Sequence, residues 1–152
     1  MQSFTGQCQC GAVRYTVTGK QVAAFVCHCT DCQRQSASAF GMAAWIAEAE
    51  VQVEQGNLQE WIRHTPSGKQ MVCRFCGVCG SRLIHQVLGS GYLSIKPGSL
   101  DDPSQCQPIA HIWTRSKQPW IDIPLGMLQF EGNPESMDSL VQAWELAHTK
   151  KH

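Results

Sequence analysis

Seven of the nine cysteines in this chain fall into three tight clusters, and this feature constrains the fold more than any other. The outer clusters are the pairs Cys8 with Cys10 and Cys76 with Cys79, and the middle cluster is a trio. A structural zinc ion takes four ligands in a tetrahedron, so the two pairs together predict one closed zinc site. The trio then holds a second zinc ion through three sulfurs, and the fourth position is open to chemistry. The members of the trio are Cys27, Cys29 and Cys32.

Length and composition predict one compact domain over residues 1–152. A chain of this size buries roughly two-thirds of the surface that its unfolded form exposes. Its longest apolar stretches, such as residues 40–46, are far shorter than the roughly 20 residues that span a bilayer. The N-terminus lacks a basic start followed by an apolar run, so we expect a cytoplasmic protein without a membrane partner.

Charge and cysteine count argue against two other classes of protein. The 12 Lys and Arg balance the 12 Asp and Glu, and no segment concentrates basic side chains, so we expect no nucleic acid partner. The cysteine count is odd, the chain carries no secretion signal, and it is long enough to form an ordinary core. Metal thiolates therefore explain the cysteines better than disulfides do.

Short, punctuated segments predict a mainly β fold. Residues 13–18 are rich in β-branched and aromatic side chains and end at Gly19, which predicts a strand followed by a turn. Residues 25–26 lead a second strand into the trio. Residues 33–40 predict one short helical turn, and residues 41–56 predict extended or mixed structure.

The second half of the chain predicts two hairpins, an edge-like strand and a helix. The hairpins pair residues 60–64 with 69–75 and residues 81–87 with 91–95. Residues 111–124 predict an edge-like strand interrupted by proline. Asn133 as the cap, a proline in the first turn and a helical apolar face predict a short C-terminal helix over about residues 134–148.

The ligand assignments leave alternatives open. Cys73 could share a site with Cys76 and Cys79, but Gly80 after the pair favours Cys76 and Cys79, because glycine takes the positive φ of a tight turn. Cys73 and Cys106 are then ordinary small core or surface residues. At the trio, a distant side chain could close the tetrahedron; the candidates are Cys106, His85 and His111. His28 lies between two ligands, and in an extended chain its side chain points away from them.

A zinc ion held by three thiolates is electron-rich and a weak Lewis acid, but it is well suited to a further soft ligand. An incoming thiol would bind as thiolate near neutral pH. The residues therefore indicate chemistry on thiols and their carbonyl adducts.

Five motifs in order resemble the glutathione-dependent formaldehyde-activating enzyme family, which also includes centromere protein V. They are GQCQCGAVRYTV, CHCTDCQRQSASAF, FCGVCGSRL, IKPGSLDD and HIWTRSKQPWIDI, from about residue 4 to residue 124. The resemblance implies a β-tent-type fold with two zinc ions per chain. By motif position, it implies a structural zinc on Cys8, Cys10, Cys76 and Cys79, and a catalytic zinc on Cys27, Cys29 and Cys32.

The implied activity is that of a carbon-sulfur lyase, with glutathione and formaldehyde giving S-hydroxymethylglutathione. No residue identifies itself as the proton donor, and His28 and His111 are candidates because histidine titrates near neutral pH. Four cations lie in or beside the motifs and could meet glutathione carboxylates, although solvated surface charge explains each of them better: Arg34, Lys96, Arg115 and Lys117. Trp113 and Trp120 could line a pocket or pack in the core. The alternative function is a non-catalytic zinc-stabilised binding or adaptor module.

Overall fold

The computed structural model describes residues 1–149. Within that range the chain forms nine strands, two α-helices and three short 3-10 turns. The strands are β1 (Gln2–Gln7), β2 (Arg14–Cys27), β3 (Gly41–Gln55), β4 (Leu58–His64), β5 (Gln70–Cys76), β6 (Arg82–Val87), β7 (Tyr92–Ile95), β8 (Ala110–Ile112) and β9 (Leu128–Gln129). The helices are α1 (Thr30–Ser36) and α2 (Asp138–Thr149). The fold is mainly β with a short C-terminal helix, which confirms the predicted class.

The nine described strands belong to one sheet with the order β4-β5-β6-β7-β3-β2-β8-β9, and β1 pairs with β2. The strands from β4 to β7 follow one another as antiparallel neighbours. Both predicted hairpins are therefore confirmed. Backbone contacts divide the chain into two compact units, of residues 1–21 with 44–105 and of residues 22–43 with the described residues from 106 onward. The single domain over residues 1–152 remains a prediction.

In the first unit, the turn predicted at Gly19 does not form. β2 runs through this glycine and ends at Cys27, so the two strands predicted around residues 13–18 and 25–26 are one. A Cβ at position 19 would lie 2.5 Å from Cγ2 of Ile46 and 2.7 Å from the carbonyl oxygen of Ala47. The glycine therefore permits a close approach of β3 rather than a reversal of the chain.

In the second unit, the observed strand is shorter than the edge-like strand predicted over residues 111–124. β8 ends at Ile112, because Trp113 takes a left-handed backbone conformation with φ 58° and a 3-10 turn follows it. β8 also pairs in parallel with both β2 and β9, so it is not an edge strand.

The C-terminal helix begins at Asp138 rather than near residue 134. The Oδ1 atom of Asn133, the predicted cap, instead accepts a hydrogen bond from Nε1 of Trp113 at 2.8 Å. The hydroxyl of Ser136 accepts from the backbone N–H of Asp138 at 3.2 Å and so caps the helix two residues before it starts. Leu140 and Trp144 anchor its buried face. No helix in residues 1–149 is long and apolar enough to cross a membrane.

Candidate metal centres

The four thiols of the two outer pairs come together in the first unit, as the sequence predicts. All four sulfur atoms lie within 4.8 Å of one another. The sulfurs of Cys8 and Cys10 are 3.6 Å apart, and those of Cys10 and Cys76, 66 residues apart in the chain, are 3.9 Å apart. A tetrahedral zinc ion with Zn–S bonds of about 2.3 Å sets its sulfurs about 3.8 Å apart. Both the donor set and the spacing therefore fit zinc. We call Cys8, Cys10, Cys76 and Cys79 the four-thiol cluster.

The local backbone places N–H groups around the buried sulfurs of this cluster. The N–H of Val13 points to the Cys8 sulfur at 3.2 Å, and the N–H groups of Val78 and Cys79 point to the Cys76 sulfur at 3.3 and 3.5 Å. Gly80 has the expected positive φ of 79°, and its N–H closes the turn on the Cys76 carbonyl oxygen. These donors favour the thiolate forms that bind metal.

One member of each pair in the four-thiol cluster is buried and the other is exposed. Cys8 and Cys76 are buried, whereas Cys10 and Cys79 face solvent. The hydroxyl of Ser81 lies 3.2 Å from the Cys79 sulfur, and hydrogen bonds from its side chain and backbone lower the pKa of Cys79 to about 5. This pKa favours the thiolate form of Cys79 at neutral pH, which is the form that binds a metal ion.

The two remaining cysteines do not join a cluster. Cys73 and Cys106 are 0% and 1% exposed, and neither belongs to a metal-ligand group within the described part of the chain. Their interpretation as small core residues is confirmed. The alternative site that Cys73 would share with Cys76 and Cys79 does not form.

The middle trio comes together in the second unit, and we call it the three-thiol cluster. Cys27 ends β2, Cys29 is the residue that caps α1, and Cys32 lies in the first turn of that helix. The three sulfurs lie within 4.8 Å of one another. The Cys29 sulfur also accepts the backbone N–H of Cys32 at 3.3 Å. Gly41 allows β3 to pack against this cluster, because a Cβ there would lie 3.1 Å from Cβ of Cys32.

The thiols of the three-thiol cluster have different pKa values. Hydrogen bonds from the Cys27 and Cys32 thiols lower the pKa of Cys29 to about 2. The same contacts, together with burial, raise the pKa of Cys27 well above its usual range. These contacts favour the thiolate form of Cys29, which is the form that binds a soft cation.

No candidate for a fourth ligand joins the three-thiol cluster among residues 1–149. Nε2 of His28 lies 2.8 Å from Nδ1 of His111, so these two rings hydrogen-bond each other. Nε2 of His85 accepts instead from Nη1 of Arg82 at 3.0 Å. Cys106 is buried outside the group. The described residues therefore supply three protein ligands.

The pair formed by His28 and His111 is buried and neutral. The two rings stack at 5.1 Å between centroids, and Phe40 meets His28 edge-on at 5.6 Å. Burial, the neighbouring His111 and the charge of Lys117 lower the pKa of His28 to about 4. Burial and Lys117 also lower the pKa of His111. At neutral pH both rings are uncharged, so neither is a ready source of a proton.

Sequence reasoning missed Gln33, which lies directly after Cys32. Its Nε2 donates to the backbone carbonyl oxygens of His28 at 2.8 Å and Ser116 at 3.0 Å. Its Oε1 accepts from Nε2 of Gln118 at 2.9 Å. Gln33 thus fixes the peptide between two thiol-bearing residues. The polar run in which it lies gives no signal for this role.

The cations that were considered for glutathione carboxylates have varied surroundings. Arg34 is exposed and lies on α1. Nε of Arg115 donates to the backbone carbonyl oxygen of Glu131 at 3.0 Å. Nζ of Lys117 donates to that of Ile121 at 2.6 Å. Lys96 lines a cleft in the first unit.

The two tryptophans that could line a pocket differ in exposure. Trp113 is half-buried and stacks with the Arg115 guanidinium at 5.3 Å, whereas Trp120 is 70% exposed. Trp120 is therefore not a core residue, contrary to one of the two expectations for it.

Comparisons with known proteins identify a family by sequence and a solved structure with a similar fold. A family model described as glutathione-dependent formaldehyde-activating enzyme matches residues 3–116. A crystal structure of a protein from Rhodobacter sphaeroides is similar, with a TM-score of 0.51 and 21% sequence identity over 83% of this chain and 98% of that chain. At this identity the likeness concerns the fold alone. No curated protein matches this chain.

Proposed function

Because this chain belongs to the glutathione-dependent formaldehyde-activating enzyme family, we propose that it is a zinc-dependent carbon-sulfur lyase acting on a thiol and a small aldehyde. The representative reaction joins glutathione and formaldehyde to give S-hydroxymethylglutathione. The observation that carries the proposal is the three-thiol cluster, which offers three soft donors and no fourth among the described residues. A site closed by four protein ligands would leave no place for a substrate thiol.

The proposal assigns a different task to each cluster. Cys8, Cys10, Cys76 and Cys79 would hold a structural zinc ion, and Cys27, Cys29 and Cys32 would hold a catalytic one. Zinc bound at the three-thiol cluster would supply a fourth position in which a substrate thiol is held as thiolate at neutral pH. In the reaction the sulfur electron pair forms the S–C bond and the carbonyl π pair moves to oxygen. The thiol proton ends on that oxygen, so no oxidant or reductant is needed.

The residues around the three-thiol cluster act by positioning. Gln33 fixes the peptide carbonyl between Cys27 and Cys29, and the cap at Cys29 fixes its distance from Cys32. The His28 ring is turned to His111, which keeps an imidazole nitrogen from competing for the metal. Holding the two reactants side by side then removes the entropic cost of their meeting.

Calorimetric titration of the zinc-loaded protein with glutathione tests the proposal. We expect saturable binding by the natural chain and by Cys106→Ala, a control that removes a buried thiol outside both clusters. Binding is expected to be lost in Cys29→Ser and with S-methylglutathione, which lacks the thiol. Unimpaired binding of S-methylglutathione would contradict a thiolate on the metal.

A second measurement separates an enzyme from a binding module. Magnetisation-exchange NMR of glutathione with formaldehyde reports the rate at which S-hydroxymethylglutathione forms. We expect the natural chain to raise this exchange rate over that of the solution reaction, and Cys29→Ser to leave it unchanged. Saturable binding without acceleration would favour the non-catalytic module instead.

A further inference from the structure

An exposed edge strand bounds the sheet in the first unit. β4 pairs with β5, and no other strand of residues 1–149 pairs with it. The pairing with β5 is regular over all seven residues of β4, without a bulge that would twist the edge away. The strand also contains no proline. A long, regular edge of this kind is a template for pairing with a further strand.

Large apolar side chains stay in solvent along this edge. Trp61 is 51% exposed and Ile62 is 46% exposed, although both lie in the middle of β4. Successive residues of a strand point to opposite faces of the sheet, so the edge is apolar on both faces at the same place. Leu88 is also exposed, and its N–H donates to the carbonyl oxygen of Gln70 beside the His64 end of β4. Exposed apolar groups that gather in this way mark an interaction surface.

Alternate residues of β4 direct their backbone polar groups out of the sheet. The N–H of Thr65 donates to the carbonyl oxygen of Lys69 at 2.8 Å, so the backbone of Thr65 faces β5. In an antiparallel pair this direction alternates from one residue to the next. Glu60, Ile62 and His64 therefore turn their N–H and carbonyl groups to the open edge, where a further strand would pair with them.

The order of charges along β4 makes the strand complementary to itself when two copies run antiparallel. The first half carries Glu60, and the second half carries Arg63 and His64. A two-fold axis through the sheet at Ile62 places this residue opposite its own copy, and it places Glu60 opposite His64 of the second copy. On the other face, Trp61 then lies opposite Arg63 of the second copy, as a cation beside an aromatic ring. Cross-strand pairs of these kinds stabilise a sheet.

Glu60 keeps the capacity for a second partner. Its Oε1 accepts from Nε of Arg74 at 3.3 Å, and its side chain is 55% exposed. A carboxylate has two oxygen atoms with several acceptor positions, so the contact with Arg74 does not exhaust them. The carboxylate of Glu60 is therefore available to an imidazole that approaches from solvent.

The neighbouring symmetric registers are less favourable. An axis at Trp61 would place the carboxylate of Glu60 opposite the apolar side chain of Ile62. An axis at Arg63 would place two guanidinium groups directly opposite each other, and like charges in this position destabilise a sheet. The sequence of β4 thus selects both the antiparallel direction and the register at Ile62.

We propose that β4 is a dimerisation edge, at which two copies of this chain pair antiparallel about a two-fold axis at Ile62. The occupant is a second copy because the charge order of the strand matches its own reverse. The same surface then serves both partners, as in most symmetric dimers. One strand pair buries a small area, so we expect a weak dimer that forms with rising concentration. The dimer is independent of thiol chemistry at the three-thiol cluster.

Sedimentation velocity of the zinc-loaded protein over a range of concentrations tests the proposal. We expect the natural chain to shift from monomer to dimer, and Ile62→Lys to remain a monomer because two ammonium groups would lie opposite each other. Val53→Lys is the matched control, because Val53 is an exposed apolar residue on β3, and it is expected to dimerise like the natural chain. A natural chain that stays monomeric up to about 1 mM would overturn the proposal. Dimerisation that Ile62→Lys leaves unchanged would place the interface elsewhere and would overturn it equally.

A charge exchange tests the register without changing an apolar residue. His64→Glu places two carboxylates opposite each other, and the axis repeats this contact. We therefore expect dimerisation to weaken by roughly threefold to thirtyfold. Adding Glu60→Lys to this variant restores opposite charges and is expected to recover the affinity. Failure of the second change to recover any affinity would contradict the register at Ile62.

Discussion

Nε2 of His28 and Nδ1 of His111 are 2.8 Å apart in a buried, stacked pair of imidazoles. This contact determines which way His28 points, although both of its chain neighbours carry thiols of the three-thiol cluster. It also occupies Nε2 of His28, one of the two nitrogen atoms through which this ring could bind a metal ion.

Breaking this pair from one side is expected to destabilise the fold. His111→Leu leaves a buried nitrogen of His28 unpaired, at a cost of about 1–3 kcal/mol in the free energy of unfolding. The double variant with His28→Leu is expected to lose less than the sum of the single losses, because both partners are then apolar. Denaturant unfolding of the zinc-loaded proteins measures this coupling. Additive losses would contradict the coupling of the two histidines. His64→Leu is the control, because His64 is an exposed histidine on β4, and it is expected to change stability by no more than about 0.5 kcal/mol.

Loss of a ligand from each cluster is expected to have different effects. Cys79→Ser should largely unfold the protein, because metal binding at the structural site is part of the folding free energy. Cys29→Ser should leave a folded chain that has lost one zinc ion. Thermal unfolding combined with zinc analysis measures both. Equal stability of the two variants would contradict the division into a structural and a catalytic site.

Gln33→Leu is expected to weaken metal retention at the three-thiol cluster by about tenfold, a common effect of losing support around metal ligands. The change removes the hydrogen bond that Gln33 donates to the His28 carbonyl oxygen, directly before Cys29, together with the bond donated to Ser116 and the bond accepted from Gln118. Competition with a chromophoric chelator measures the affinity of this site without any assay of activity. Gln35→Leu, on the same helix, is the matched control. Equal zinc affinity of the two variants would show that Gln33 does not position the thiols.

His85 is expected to make the protein less stable in acid. Its pKa of about 2 in the folded state lies below the ordinary value of 6.5, because burial and nearby cations disfavour its charged form. As the pH falls below 6.5, His85 becomes protonated in the unfolded chain but stays neutral in the folded chain. The folded state therefore loses stability progressively from pH 6.5 toward pH 2. The slope contributed by this histidine is at most about 1.4 kcal/mol per pH unit.

Denaturant unfolding of the natural chain and His85→Gln between pH 7 and pH 5 checks this effect. Glutamine retains an acceptor for Arg82 but does not titrate, so its stability curve should be shallower by the contribution of His85. Other groups, including the zinc thiolates, titrate in both proteins and cancel in the difference. Parallel curves would refute the prediction.

Most parts of this molecule that sequence predicts correctly depend on residues close together in the chain. The exception is the meeting of the two outer cysteine pairs, which is predictable because a structural zinc ion needs four ligands. Ligand spacing within each cysteine cluster is a local property, and so are the hairpin formed by β4 and β5 and the hairpin formed by β6 and β7. The short helix after the second cluster is also found, although it begins at Thr30.

The errors arise where distant residues decide the outcome. A glycine at the end of an apolar run predicts a turn, but only the position of Ile46 reveals that Gly19 permits close packing within a continuous strand. The parallel pairing of β8 and the contact that removes Asn133 from its capping role have no local signature. The same is true of the partners of Gln33 and Arg82.

The four-thiol cluster joins Cys10 to Cys76, which follows it by 66 residues. At a synthesis rate of about 5–20 residues per second, the first pair is synthesised roughly 3–13 s before its partners. During that interval Cys8 and Cys10 are two bare thiols that cannot complete a tetrahedron. Metal capture at this place must therefore come after translation of more than half the chain, and the nascent protein is open to oxidation until then.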